Sequence, residues 1–413
     1  MPEPRPPRPS RRHLLQAAGV AGLAGLTGLT AARAGGPAPA AAPTAGAWHP
    51  DRLDRPVYGL LEAEPDQYAE LARAGVAAVT LPVGWDRAQP QPGRLDEDYL
   101  AQVQRRHEAA RARGLHLSLD PGLQYPPDWV GALPGARFVD QDGRPWRGGT
   151  GDDVVDGVFD EQVREAQGAY LRLLTDRLGD LELAGIRVGG LARGELHYPF
   201  TDRSRERATY WAYGRSAQAR CPVPGFRPGQ GSADDARTFV GWYLGALADH
   251  ARWQLELLRD RADDGTRLIV LLPSWGLRPG EVERALAAGL DGSTSGEQRG
   301  TLTEGLDWEG QLAVCAAVAG VDVCTTWLDP QDQGEDQDLL SPGRFLAGLA
   351  ARHDLGVWGE NTGGNTAEDL GRCARRVRDL DLRGLFWMGA PGLGRDGNAS
   401  LADYADVIDA AQA

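Results

Sequence analysis

Two glutamates sit in surroundings suited to acid–base chemistry. Glu195 lies in Arg193-Gly194-Glu195-Leu196-His197-Tyr198-Pro199, and Glu360 in Trp358-Gly359-Glu360-Asn361-Thr362-Gly363-Gly364. Flanking glycines let a backbone come close to a ligand. A pair of carboxyl groups divides the work across one glycosidic bond: one protonates the leaving oxygen, while the other attacks carbon or activates water. Twelve tryptophans add a second component. Flat aromatic faces pack on the C–H faces of sugar rings, and an indole N–H donates a hydrogen bond. Trp85, Trp275, Trp327, Trp358 and Trp387 fall at the ends of apolar runs, and Trp129 and Trp146 lie in one long connection. Asp86, Asp120 and Asp329 follow apolar runs too, where they bind hydroxyls or cap the next helix. Asp120, before Pro121-Gly122, is the foremost of these. Tyr198 and Asn361 flank the glutamates as orienting groups, and His197 and Arg193 are placed to tune the acid.

Other chemistries are excluded by composition. All 44 basic residues are arginine, so no Schiff-base lysine and no lysine-bearing phosphate loop can be built. Four cysteines without a C-x-x-C pair and seven dispersed histidines give no local zinc signature, so neither metal nor cofactor is expected. Net charge is −14 over 413 residues, and beyond residue 34 the balance is 39 basic against 57 acidic groups. Such a surface repels phosphate backbones, so nucleic acid is not an expected partner. Apolar residues at 42% and charged residues at 25% fit an ordinary globular chain.

The elements that must hold these residues are short apolar runs alternating with amphipathic helices. Strands are expected over 57–62, 76–83, 115–119, 183–188, 268–273, 321–327, 355–359 and 384–388. Helices are expected over 96–113, opened by Asp96 and closed before Gly114, and over 160–178, 236–260, 307–319 and 366–379. Eight such units predict an α/β protein, a single-domain (β/α)8 TIM barrel with long βα loops. The alternative, an open doubly wound sheet, lacks a G-x-G-x-x-G after the first strand. Connections over 120–160, 197–235 and 274–306 follow strand ends, which in a barrel line the C-terminal face. There, strands four and seven oppose each other and bring Glu195 towards Glu360.

Residues 1–34 read as a twin-arginine signal peptide. Ser10-Arg11-Arg12-His13-Leu14-Leu15 precedes a glycine-rich apolar run ending in Ala32-Arg33-Ala34. Residues 35–52 read as an Ala/Pro/Gly-rich linker, and 53–413 as the barrel. The expected partners are therefore the twin-arginine export machinery and a carbohydrate. Localisation is secreted, without stable membrane insertion after signal cleavage. No motif specifies an oligomeric state. Cys221, Cys315, Cys324 and Cys373 read as buried small hydrophobes, with one disulfide open. Asn398-Ala399-Ser400 reads as an accidental glycosylation match.

Short motifs carry a resemblance. Ile186-Arg187-Val188-Gly189 through Gly194-Glu195-Leu196-His197-Tyr198-Pro199 resembles the acid-glutamate segment of β-amylases, and Leu117-Ser118-Leu119-Asp120 through Pro126-Pro127-Asp128-Trp129-Val130 is similar to their third-strand region. Leu71-Ala72-Arg73-Ala74-Gly75-Val76 leading to Trp85, Pro90 and Pro92-Gly93 looks like family 42 β-galactosidases and their clan A relatives. So do Trp211-Ala212-Tyr213, Trp358-Gly359-Glu360-Asn361 and Phe386-Trp387. The resemblance implies a glycoside hydrolase with Glu195 as proton donor, Glu360 as its partner, and substrate contacts at Trp85, Asp120, Tyr198, Trp275, Trp327, Asn361 and Trp387. Departures accompany it. Gly194 stands where clan A enzymes carry an asparagine that contacts the sugar 2-hydroxyl, and Trp327 stands where tyrosine or histidine is usual. The second-glutamate segment of β-amylases is not recognisable around Glu360. A retaining mechanism is expected. An inverting β-amylase-like glucan hydrolase and a non-catalytic carbohydrate-binding barrel are the alternatives.

Overall fold

A computed structural model describes residues 55–149, 151–200, 208–291, 296–395 and 397–412. The proposed signal, the linker and the first residues of the barrel segment lie outside the described residues. Eight parallel strands close in sequence order: β1 (Val57–Leu61), β2 (Ala78–Pro82), β3 (His116–Asp120), β4 (Gly185–Val188), β5 (Arg267–Leu272), β6 (Val321–Thr325), β7 (Gly356–Glu360) and β8 (Gly384–Met388). Closure pairs Val57 with Gly384 and runs to Leu61 with Met388. A helix follows each strand: α1 (Tyr68–Arg73), α2 (Glu97–Arg111), α3 (Glu161–Leu178), α4 (Ala233–Arg259), α5 (Trp308–Ala316), α6 (Pro342–Ala351), α7 (Ala367–Asp379) and α8 (Leu401–Gln412). The open-sheet alternative is thereby set aside.

Local chemistry sets the helix starts. The Asp96 side chain accepts from Tyr99 N, and Asp160 from Val163 N, so each satisfies an orphan donor of the first turn. Ser232 and Thr366 open α4 and α7 with reciprocal capping boxes. Where β3 leaves the sheet, Gly122 has φ +71° and a side chain there would overlap the Val83 carbonyl, so only glycine fits the turn.

Alternation along the strands divides the barrel into two cores. Outward residues pack under the helices. Inward residues Val57, Leu61, Ala78, Ile269, Leu271, Cys324, Trp358 and Phe386 form a separate cluster to which no helix contributes. Arg187 pairs with Ile269 across the sheet, and Glu360 lies two residues beyond Trp358, so both point inward. Low in the barrel, Arg267 reaches Asp322 at 2.5 Å, and the Trp358 indole donates to the same carboxylate at 3.0 Å. All four cysteines are buried and free, as small hydrophobes. No helix among the described residues is long and apolar enough to cross a membrane.

Candidate active site

Glu360 ends β7 and turns into the barrel at 1% exposure. Its Oε1 takes Arg187 Nη1 at 2.6 Å and the Cys324 thiol at 3.7 Å. Both donors stand on inward positions, Cys324 on the adjacent strand β6 and Arg187 on β4 across the barrel. Burial works against the Arg187 charge, but Glu360, then Asp120 and Cys324, hold its pKa above the ordinary arginine value. Burial, followed by the Glu360 carboxylate, pushes the Cys324 thiol well up, so it is a neutral donor. The backbone around Glu360 is bolted down. Leu328 N donates to Glu360 O, and Asp329 accepts from Thr362 N at 2.6 Å and Thr362 Oγ1 at 2.7 Å. Asn361 Oδ1 accepts from Met388 N, and its Nδ2 donates to Gly364 O, Asn365 Oδ1 and Met388 O.

Glu195 is held by a tight return of the chain beyond β4. Gly190 N donates to Gly194 O and Leu191 N to Glu195 O, after which Leu196 N joins β5 at Leu271 O, 2.9 Å away. Gly190 has φ +68°, and a side chain there would meet Leu123 at 2.8 Å. The turn leaves Glu195 2% exposed, with Oε2 at 3.6 Å from His197 Nε2. Both glutamates act electrostatically on the Cys324 thiol, Glu360 the more strongly. Asp120 closes the third side. Its carboxylate raises Arg187, accepts from Gly122 N at 3.0 Å, and takes Gln124 Nε2 at 3.0 Å.

Among the sequence-derived candidates, Asp120, Glu195 and Glu360 therefore gather around Arg187 and Cys324. Trp275 and Trp327 are half-buried beyond β5 and β6. The other expected contacts need correcting. Trp85 is wholly buried, stacked on Tyr170 at 5.1 Å and edge-on to Trp129. Tyr198 is sandwiched between Phe159 and Tyr243 and donates to Tyr243 O. Trp387 pairs with Leu60 on the outward face and belongs to the helix-side core. None of the three offers a face to a sugar, and Trp358 fills the barrel interior instead of its rim. Asn361 and Asp329 are spent on neighbouring backbone and side-chain groups, so they position Glu360 and are not placed to bind hydroxyls. Asn398 donates its amide to Gly392 O.

Sequence reasoning passed over Arg187, Cys324, Gln124 and Tyr125. Arg187 had a readable signal, a charge at an inward position of an otherwise apolar Gly-Ile-Arg-Val strand, a placement tolerated only when paired. Tyr125 sits beside the same wall, and burial, then Asp120, pushes its hydroxyl up to about 12.

The sequence matches no protein-family model and no curated protein. Solved structures match it throughout the barrel. The catalytic domain of β-amylase from Paenibacillus polymyxa superposes with TM-score 0.66 at 14% identity, covering 87% of this chain and 99% of that one. The fold is similar to that of β-amylase. Also similar are β-galactosidases from Marinomonas ef1 (TM-score 0.57, 14% identity) and Halorubrum lacusprofundi (0.54, 14%), each over 86% of this chain. The chain spans 59% and 57% of those two proteins. At this identity the likeness establishes the barrel, as the short motifs led one to expect.

Proposed function

We propose that the chain is an exported glycoside hydrolase that cleaves O-glycosidic bonds of an oligo- or polysaccharide. Export rests on the twin-arginine pattern of residues 10–15. The reading is carried by one observation: Glu360 is a carboxylate with a fixed guanidinium partner, Arg187 at 2.6 Å, and it acts on the same Cys324 thiol as Glu195 does. In this mechanism Glu195 passes its proton to the leaving oxygen as Glu360 attacks the anomeric carbon and the C–O bond breaks. Water then gives its proton to Glu195, and its oxygen displaces Glu360 from the sugar. Arg187 supplies the charge that Glu360 needs each time it is released. Trp275 and Trp327 supply aromatic surface beyond the pair.

Two observations favour other readings. The more extensive likeness to β-amylase, nearly the whole of that catalytic domain, supports inversion, with Glu360 activating water. The slight exposure of both glutamates, and Gly194 in place of an amide, support a binding barrel without turnover. Proton NMR of the first-formed anomer, on a panel of aryl glycosides and polysaccharides, separates all three. Retention of configuration is expected. Inversion moves Glu360 to the role of base, and sugar binding without cleavage overturns the hydrolase.

A further inference from the structure

His197 lies two residues beyond Glu195 and is completely buried. Its ring meets two backbone carbonyls: Nδ1 is 2.6 Å from Tyr198 O, and Nε2 is 3.1 Å from Ala192 O. A carbonyl oxygen has no proton to give, so a neutral imidazole bonds only one of them and turns its remaining lone pair against the other. Only the doubly protonated ring satisfies both. The surrounding charges agree. Glu195 Oε2 stands 3.6 Å from Nε2, and buried Glu304, in the segment after the 296–303 helix, adds a second negative influence on the ring. Phe200 packs on the ring at 4.5 Å, and the Arg193 guanidinium lies over Phe200, 4.6 Å from its centroid. Burial favours the neutral ring, yet Glu195 and Glu304 outweigh it and raise the His197 pKa.

We propose that His197 is a buried imidazolium counter-ion to Glu195, a positioning residue that sets the pH at which Glu195 releases its proton. The inference rests on reading Glu195 as the proton donor. An adjacent cation favours the carboxylate, so Glu195 donates readily and is emptied at lower pH than burial alone dictates. The two groups then titrate as a pair.

Nitrogen-15 NMR of the whole chain tests this without any substrate, with the His197 signals assigned by their loss in His197→Asn. More than half of the ring should be doubly protonated at pH 6.5, where a free histidine is half titrated. In Glu195→Gln the His197 midpoint should move to lower pH. A ring that is mainly neutral at pH 6.5, or a midpoint that Glu195→Gln leaves in place, overturns the counter-ion. On any glycoside that the wild type hydrolyses, His197→Asn should carry the alkaline limb of kcat/KM to higher pH. Loss of activity with an unmoved limb marks a purely structural residue and also overturns the proposal. A wild type that hydrolyses nothing refutes the proposed function, while the NMR titration still decides the protonation of His197.

Discussion

Arg187 is the residue on which the site's electrostatics turn. Its side chain and that of Glu360 are nearly sealed from solvent, so deleting one partner strands the other as an uncompensated charge. Arg187→Met is expected to cost about 3–5 kcal/mol of stability, visible as an earlier unfolding midpoint in urea. Arg187→Met combined with Glu360→Leu should recover much of that loss, because apolar replacement of a buried pair is often close to neutral. No recovery in the double variant would mean that Arg187 is held by groups other than Glu360. The glutamates themselves were legible in the sequence, since glycines and aromatics mark Glu195 and Glu360 and strand counting puts them on opposite walls. Arg187 was not, because its meaning depends on which face of a four-residue strand points inward.

The same facing problem governs the elements. All eight strands fall within two residues of their expected bounds, α2, α3 and α7 begin one residue from their expected starts, and Asp96 caps α2 as anticipated, because apolar runs and capping residues are local signals. Strands of a parallel barrel are buried on both sides, so their sequences carry little alternation to say which face is which. Trp358 and Trp387 both looked like rim residues for that reason, though one fills the barrel and the other packs under helices. Trp358 also ties β7 to β6 through Asp322, beneath the site it was expected to line. Trp358→Phe removes that bond and part of a close-packed interior, and should lower stability by about 1–3 kcal/mol. Trp275→Ala, at a half-buried position, should leave the unfolding midpoint nearly unchanged and weaken sugar binding. The reverse ranking in thermal unfolding would show that the two faces have been misassigned.

For the whole molecule, two buried groups shape the dependence of stability on pH. Burial raises Asp156, before α3, from 3.8 to about 8, against the pull of a hydrogen bond from Phe159 N. Across that window the folded chain holds a proton that the unfolded chain has released, so stability falls as pH rises. Burial, then Arg164, lowers His250 in α4 from 6.5 to about 3. There the unfolded chain takes up the proton that the folded one refuses, so stability falls as pH drops through the interval. The unfolding temperature should peak in the mildly acidic overlap. Asp156→Asn should flatten the alkaline side of that curve, and His250→Gln the acid side. A profile that rises steadily to pH 8 would contradict the burial of Asp156. The barrel was readable from the sequence as eight repeated units, whereas these titrations arise only where distant segments pack together.

The proposed cleavage depends on Glu195 and Glu360 acting together. The most direct test measures kcat on a glycoside that the wild type cleaves, for Glu195→Gln and Glu360→Gln, beside sugar binding by calorimetry. Glu195→Gln should reduce kcat by about 10²–10⁴-fold, the range for an acid–base group, and Glu360→Gln, which removes the nucleophile, by at least as much, while sugar binding survives. Turnover that persists near the wild-type rate in either variant would contradict the paired-carboxylate mechanism.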